Sequence, residues 1–193
     1  KKFKPRVIGV TGTAGKTSTK EAIFTVLRSQ FRVRRNAKNF NTDLGLGMTV
    51  IGDWEEVPEQ GLFVIGLFWL KVILWGLWQL MKPGARDKYP EVLILEYAAD
   101  RPGDIKRLLT VVKPEISVLT AIGDIPVHIE FYENVEGVAQ EKGRLIGALN
   151  SHGAAIVNGD DERVLALTAK TPAKVITYGF SQSSQMKIVS FEN

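Results

Sequence analysis

Cysteine is absent from this 193-residue chain, and histidine occurs only at His128 and His152. Disulfides, thiolate nucleophiles, cysteine zinc sites and multi-histidine metal clusters are therefore all excluded, and a cytosolic setting is favoured. Any metal must rest mainly on oxygen ligands, which suits magnesium better than zinc. Charge of neither sign dominates, with 25 Lys and Arg against 21 Asp and Glu and a net charge of +4. Basic residues do gather in residues 1–6 and at Arg28, Arg32, Arg34, Arg35 and Lys38. That pattern fits a solvated face, or attraction for an anionic nucleotide or a membrane surface. It contains no nucleic-acid-binding motif, so no nucleic acid is expected as a partner. No secretory signal is expected, because residues 7–13 read as a strand running into a glycine loop.

With 45% hydrophobic residues the chain can bury a core of its own, and a single domain over residues 1–193 is expected. Strand-like and helix-like stretches alternate. Strands are expected at 6–10, 91–95, 116–121, 154–157 and 174–178, and a last strand-like stretch at 186–189. Helices are expected at 18–30, 104–112, 135–149 and 162–168. Alternation of this kind implies an α/β domain, a P-loop NTPase-like, mostly parallel sheet flanked by helices.

Residues 61–81 break the pattern. This apolar stretch carries one charge, Lys71, together with Trp69, Trp75 and Trp78. It reads as a helical insertion at about 61–82, within a longer inserted segment 54–90. Its length would suit a membrane span. A single span would, however, put the two halves of one sheet on opposite sides of the bilayer. At about 100° per residue, Lys71, Trp75, Trp78 and Lys82 fall within roughly 60° of one another, a stripe suited to lipid headgroups. Burial against protein and a re-entrant or spanning hairpin are the alternatives.

The strongest chemical signal is Gly12-Thr13-Ala14-Gly15-Lys16-Thr17-Ser18, set between the first strand and the first helix. Glycines there let backbone N–H groups turn inward around phosphate oxygens. Lys16 adds charge, and Thr17 offers a hydroxyl to Mg²⁺. The strict pattern G-x-x-x-x-G-K-[ST] would want glycine at position 10, where Val10 stands, so this is the shorter G-x-x-G-K-T. The nucleotide is expected to be ATP. Glu96 ends an apolar strand, at the edge where parallel sheets bind ligands, and can meet Mg²⁺ or a water on it. His128 follows the third strand and is a candidate for metal or phosphate. Asn158 and Asp161 reach the same edge, where the Asn158 amide serves either an adenine edge or turn chemistry. His152 reads as a cap or surface residue.

These residues resemble the central ATPase domain of the Mur ligases, most of all the MurF type, which adds D-alanyl-D-alanine to UDP-N-acetylmuramoyl-tripeptide. Four blocks carry the likeness: residues 10–18, Asn39-Phe40-Asn41-Thr42-Asp43-Leu44-Gly45, residues 95–105, and residues 113–143. The resemblance implies an ATP-dependent ligase of peptidoglycan precursor synthesis that forms an amide through an acyl phosphate. It implies that Lys16 holds phosphates and that Thr17 and Glu96 bind a first Mg²⁺. A second Mg²⁺ would rest on His128 and on Lys142 as a carbamate. Asn158 would contact adenine, and Asn39 and Asn41 would lie near nucleotide and substrate.

The expected partners are a UDP-muramoyl peptide, D-Ala-D-Ala and the family's N- and C-terminal domains, without which the segment is expected to be inactive. The expected location is cytoplasmic, peripheral on the inner face of the plasma membrane through 61–82. The alternatives are a membrane-associated nucleotide-binding module not catalytic alone, and a poly-γ-glutamate, folylpolyglutamate or lipid-linked peptidoglycan ligase of the same type. Tyr97-Ala98-Ala99 and Leu46-Gly47 depart from the family pattern, as does the apolar insertion.

Overall fold

The computed structural model describes residues 3–37, 40–124 and 129–190. Its strands are β1 (Arg6–Thr11), β2 (Val33–Arg35), β3 (Val92–Glu96), β4 (Ile116–Leu119), β5 (Ala154–Asn158), β6 (Lys174–Gly179) and β7 (Met186–Lys187). They form one sheet in the order β2-β3-β1-β4-β5-β6-β7, and every pairing is parallel. The helices are α1 (Lys16–Leu27), α2 (Asp43–Ile51), α3 (Leu62–Met81), α4 (Ala85–Lys88), α5 (Asp104–Val111), α6 (Val135–Gly147) and α7 (Glu162–Leu167). The expected α/β class is what the chain adopts.

Both faces of the sheet are covered, which is why its strands read as continuous apolar runs rather than alternating ones. One face packs Ile8, Val10, Ile94 and Val118 against Ile23, Phe24 and Leu27 of α1. The other packs Val7, Leu93 and Leu95 against Leu46 of α2, Ile105 and Leu108 of α5 and Leu145 of α6. Farther along that face, Leu119, Ala155 and Val157 meet Ala139 and Ile146 of α6 and Val164 of α7.

β2, α2 and the short α4 were not anticipated. β2 is three residues at the sheet edge, too short and too basic to announce itself. α2 occupies part of what the family likeness treats as a loop, and its sequence, DLGLGMTVI, holds two glycines and three β-branched residues. Packing outweighs that poor propensity. Thr42 caps the helix by accepting from Gly45 N, and a Cβ on Gly45 would lie 2.4 Å from Phe40 Cα. Expected boundaries shift by a few residues elsewhere: α1 begins at Lys16 and β4 ends at Leu119, because the loops themselves enter the hydrogen-bond network.

Tyr97, a departure from the family pattern, is directed into the core. Its ring lies against Gly9 and its hydroxyl donates to Val112 O at 2.9 Å, so the residue fills the layer beneath α5. Ile94 stands at the centre of β3, fully buried between two packed layers. Ile94→Ala is expected to cost about 2–5 kcal/mol, read from the midpoint of urea unfolding at unchanged slope.

Candidate functional site

The carboxyl ends of β1, β3, β4 and β5 lie side by side and gather the polar groups. After β1 the chain turns at Gly12, whose φ is 147°. A side chain there is impossible without rearrangement, since a Cβ would sit 1.9 Å from Thr120 Oγ1. Thr120 itself closes the loop, donating to Ala14 O at 2.6 Å with Thr11 O at 3.2 Å. Thr13 N donates to Ala121 O at 2.7 Å, and Ala14 forms a bridge to Ala121. The loop is thus held to the end of β4 before α1 begins.

Gly15, left-handed at φ 79°, is the N-cap of α1 and gives no side-chain hydrogen bond to it. The first-turn amides are left for an anion, with the positive end of the helix dipole behind them. Lys16 Nζ curls back onto the loop and donates to Thr13 O at 3.1 Å. Thr13 Oγ1 is one of four buried side-chain polar atoms among the described residues with no hydrogen-bond partner. An anion-shaped demand therefore sits inside the loop.

Glu96 enters from the neighbouring strand. Parallel pairing sets Val10 opposite Glu96, and Thr17 Oγ1 donates to Glu96 Oε2 at 2.9 Å. The carboxylate is nearly buried, and Lys20 Nζ lies 3.6 Å from the same oxygen. Lys20 has no exposed surface and donates to Asn36 O at 2.9 Å. Asn36 accepts from Glu96 N at 2.8 Å and donates to Phe40 O at 2.9 Å. Thr17 and Lys20 thus hold the carboxylate, and Asn36 holds the backbone N–H of the same residue.

Sequence reasoning overlooked Lys20, Asn36 and Thr120. Lys20 alone left a trace, since it stands one turn beyond Lys16 and so on the same face of α1. The other two are set by contacts distant in sequence.

An oxygen pair from Thr17 and Glu96 suits a hard cation. Among the described residues no cluster of three or more His, Cys, Asp or Glu is placed to hold a metal. A magnesium ion held by one carboxylate, one hydroxyl, phosphate oxygens and water needs none. The residues present fit that ion.

Lys142 projects from α6 and is not a helix-surface lysine, being only 3% exposed. Its Nζ reaches Ala99 O at 3.4 Å. Burial, reinforced by the nearby Lys16 ammonium, pushes its pKa down to about 8, against the opposing pull of Asp100, Glu141 and Asp104. Next to Lys142 on α6, Glu141 Oε1 accepts from Ile105 N at 2.9 Å and so caps α5.

At the end of β5 the side-chain Oδ1 of Asn158 accepts from Asp160 N at 2.9 Å, which is its turn role. Asp161 caps α7 and accepts from Ile122 N and Gly123 N at 2.8 and 3.1 Å. Burial opposes its ionisation, yet four backbone N–H groups hold its carboxyl below the usual range. It pins the segment leading to residues 125–128. His128 and Asn39 lie outside the described residues. Asn41 follows Phe40, whose carbonyl is tied to Asn36. A cavity of about 890 Å³ opens nearby, lined by Phe40, Thr42, Leu44, Glu55, Glu59 and Phe68, away from the phosphate loop. His152 is exposed beyond α6, as expected of a surface residue.

The profile of the Mur ligase middle domain matches residues 77–192. This chain belongs to the Mur ligase middle-domain family. The UDP-N-acetylmuramoyl-tripeptide–D-alanyl-D-alanine ligase of Bacillus subtilis is 31% identical over 156 residues, covering 81% of this chain and 26% of that protein. The ligase of the same name from Rickettsia prowazekii is 23% identical over 193 residues, covering 98% of this chain and 35% of that protein. Among solved structures, the MurF ligase of Thermotoga maritima in complex with ADP superposes with a TM-score of 0.64 at 27% identity, over 93% of this chain and 34% of that one. This Mur ligase middle domain therefore spans about a quarter to a third of the relatives it matches.

Two outcomes are expected. Gly12→Ala removes nucleotide binding in a calorimetric titration and lowers the melting temperature, because both the backbone angle and the Thr120 contact oppose it. Lys20→Met costs about 3–5 kcal/mol in urea unfolding, since it leaves the Glu96 carboxylate buried with a counter-charge removed.

Proposed function

We propose that this chain is the ATP-binding core of an amide-forming ligase of peptidoglycan precursor synthesis, joining D-Ala-D-Ala to a UDP-muramoyl peptide. The observation that carries the reading is the Thr17–Glu96 pair beside the capless start of α1. The relatives' names supply the reaction class.

In this reading the α1 amides and Lys16 take the terminal phosphates of ATP, and Thr17 and Glu96 hold Mg²⁺. Magnesium, when bound, neutralises charge on the transferring phosphoryl group. A substrate carboxylate oxygen attacks the γ-phosphorus and ADP leaves; an amine then attacks the acyl carbon and phosphate leaves. Asn158 serves the adenine, and Asn39 and Asn41 serve the substrate side. The N- and C-terminal ligase domains complete the enzyme. ATP places the work in the cytoplasm, with residues 61–82 against the inner face of the plasma membrane.

Lys142 and His128 are assigned to a second Mg²⁺. An ammonium cannot bind a cation, but a neutral amine can add to CO₂. The nitrogen forms a bond to carbon, one proton leaves to solvent, and an oxygen-bearing anion results. A lysine lowered to about 8 supplies that neutral amine where an ordinary one at 10.5 does not. The sign is definite: neutral amine grows as pH rises through the folded pKa, so at fixed dissolved CO₂ carbamate should increase from pH 7 to pH 9. Carbon-13 NMR with labelled bicarbonate should show one carbamate signal that is lost in Lys142→Ala. Its absence from the parent chain removes the carbamate assignment.

The complete gene product, given ATP, Mg²⁺, UDP-muramoyl-tripeptide and D-Ala-D-Ala, should release ADP only when both substrates are present. Lys16→Ala should abolish nucleotide binding. Lys142→Ala should keep ATP binding and lower turnover by at least about a hundredfold. ADP release no greater than background would leave the nucleotide-binding module that is not catalytic alone. Release with a folate or another γ-glutamyl acceptor instead would assign the chain to a related ligase.

A further inference from the structure

α3 is the least explained element of the fold. Thirteen of its 20 residues are exposed and apolar, while Val72 is buried. At about 100° per residue, the side that meets the body spans roughly 100° and holds Phe68, Gln79, Val72, Ile65, Gly76 and Trp69. Val72, Phe68 and Trp69 pack there with Phe40 and Met48 of the body. The rest of the helix faces outward.

Its polar groups are all withdrawn from the outermost surface. Gln79 Nε2 donates to Ile51 O, at the end of α2. The Lys71 ammonium lies 5.8 Å from the ring centre of Trp54, a residue of the segment preceding the helix. Trp75 and Trp78 stack with ring centres 4.9 Å apart, and Lys82 Nζ stands 4.2 Å over Trp78. Lys71, Trp75, Trp78 and Lys82 thus form one margin of the exposed surface. Beyond it lies an arc of about 140° that includes Leu67, Leu70, Ile73, Leu74, Leu77 and Met81 and contains no polar side chain.

We propose that α3 lies in the plane of a lipid bilayer, its aliphatic arc among the acyl chains and its Trp–Lys margin in the headgroup layer. Three observations select lipid as the occupant. A protein interface has a polar rim and about one hydrogen bond per 100–200 Å², whereas this arc offers no side-chain donor or acceptor. The margin carries indoles and ammonium groups, the two chemistries that partition to headgroups, and the ammoniums complement anionic phosphate. Finally, α3 is about 30 Å long, as long as a span needs, yet a span is forbidden. β1, before the helix, and β3, after it, are paired from Arg6↔Val92 to Val10↔Glu96, so both ends of α3 return to one side. The in-plane arrangement meets both conditions. It stands independently of the nucleotide reading.

The test uses the full chain with vesicles of phosphatidylcholine and phosphatidylglycerol. Co-sedimentation is expected, with stronger binding as phosphatidylglycerol increases. Tryptophan emission should be quenched more by lipids brominated near the headgroup than by those brominated near the chain ends. Leu70→Glu with Leu74→Glu should weaken partitioning by about a hundredfold or more, with ADP affinity unchanged as the sign that the domain is intact. The proposal is overturned if the parent chain stays in the supernatant at every composition, or if the double variant partitions equally. Deeper quenching at the chain ends, or a dimer that the double variant dissolves and that ignores vesicles, overturns it as well. Loss of ADP binding with vesicle binding retained would instead count against the nucleotide reading alone.

Discussion

The parallel pairing of β1 between β3 and β4 is the constraint on which the edge chemistry depends. Val10 opposite Glu96 and Thr11 opposite Leu119 bring a phosphate-type loop, an acid and a threonine clamp to one place. No one of these groups makes a site. The loop alone is a turn with a helix behind it, and Glu96 alone is an acid at a strand end. Held 2.9 Å apart, Thr17 and Glu96 become a pair of oxygens poised for a hard cation next to an anion cradle. Lys20 and Asn36 then keep Glu96 from moving, at the expense of burying a lysine completely.

The same edge sets Lys142 apart. Burial and the Lys16 ammonium both disfavour its charge, so the fold eases deprotonation of this amine. Desolvation here is a chemical device as well as a cost. Glu141 beside it has the opposite task, since its carboxylate is spent on the start of α5 and on Arg144.

Much of this was legible because the decisive signals are local. Gly12 to Ser18 announces itself by two glycines, a lysine and a threonine between a strand and a helix. Glu96 follows from a strand that ends in an acid in a parallel sheet. The apolar helix was plain from composition. What could not be read depends on packing between distant segments. α2 forms despite its glycines because Leu46 and Met48 are packed into the body, and Gly45 is kept because Phe40 leaves no room for a Cβ there. β2 exists because Arg34 and Arg35 pair with Leu93 and Ile94, not because three residues carry a period. Thr120 closes the loop from more than a hundred positions away, and no spacing rule reaches that far. Asn158 shows the reverse case: turn chemistry was visible in the sequence, and the structure uses it.

The central claim is that Thr17 and Glu96 form a metal–phosphate site at the start of α1. Calorimetric titration of ADP, with and without Mg²⁺, into the parent chain and Glu96→Ala tests it directly. The account predicts that Mg²⁺ tightens ADP binding to the parent by at least about tenfold and that this gain disappears in Glu96→Ala, while metal-free binding persists. An equal gain from Mg²⁺ in both proteins would contradict it.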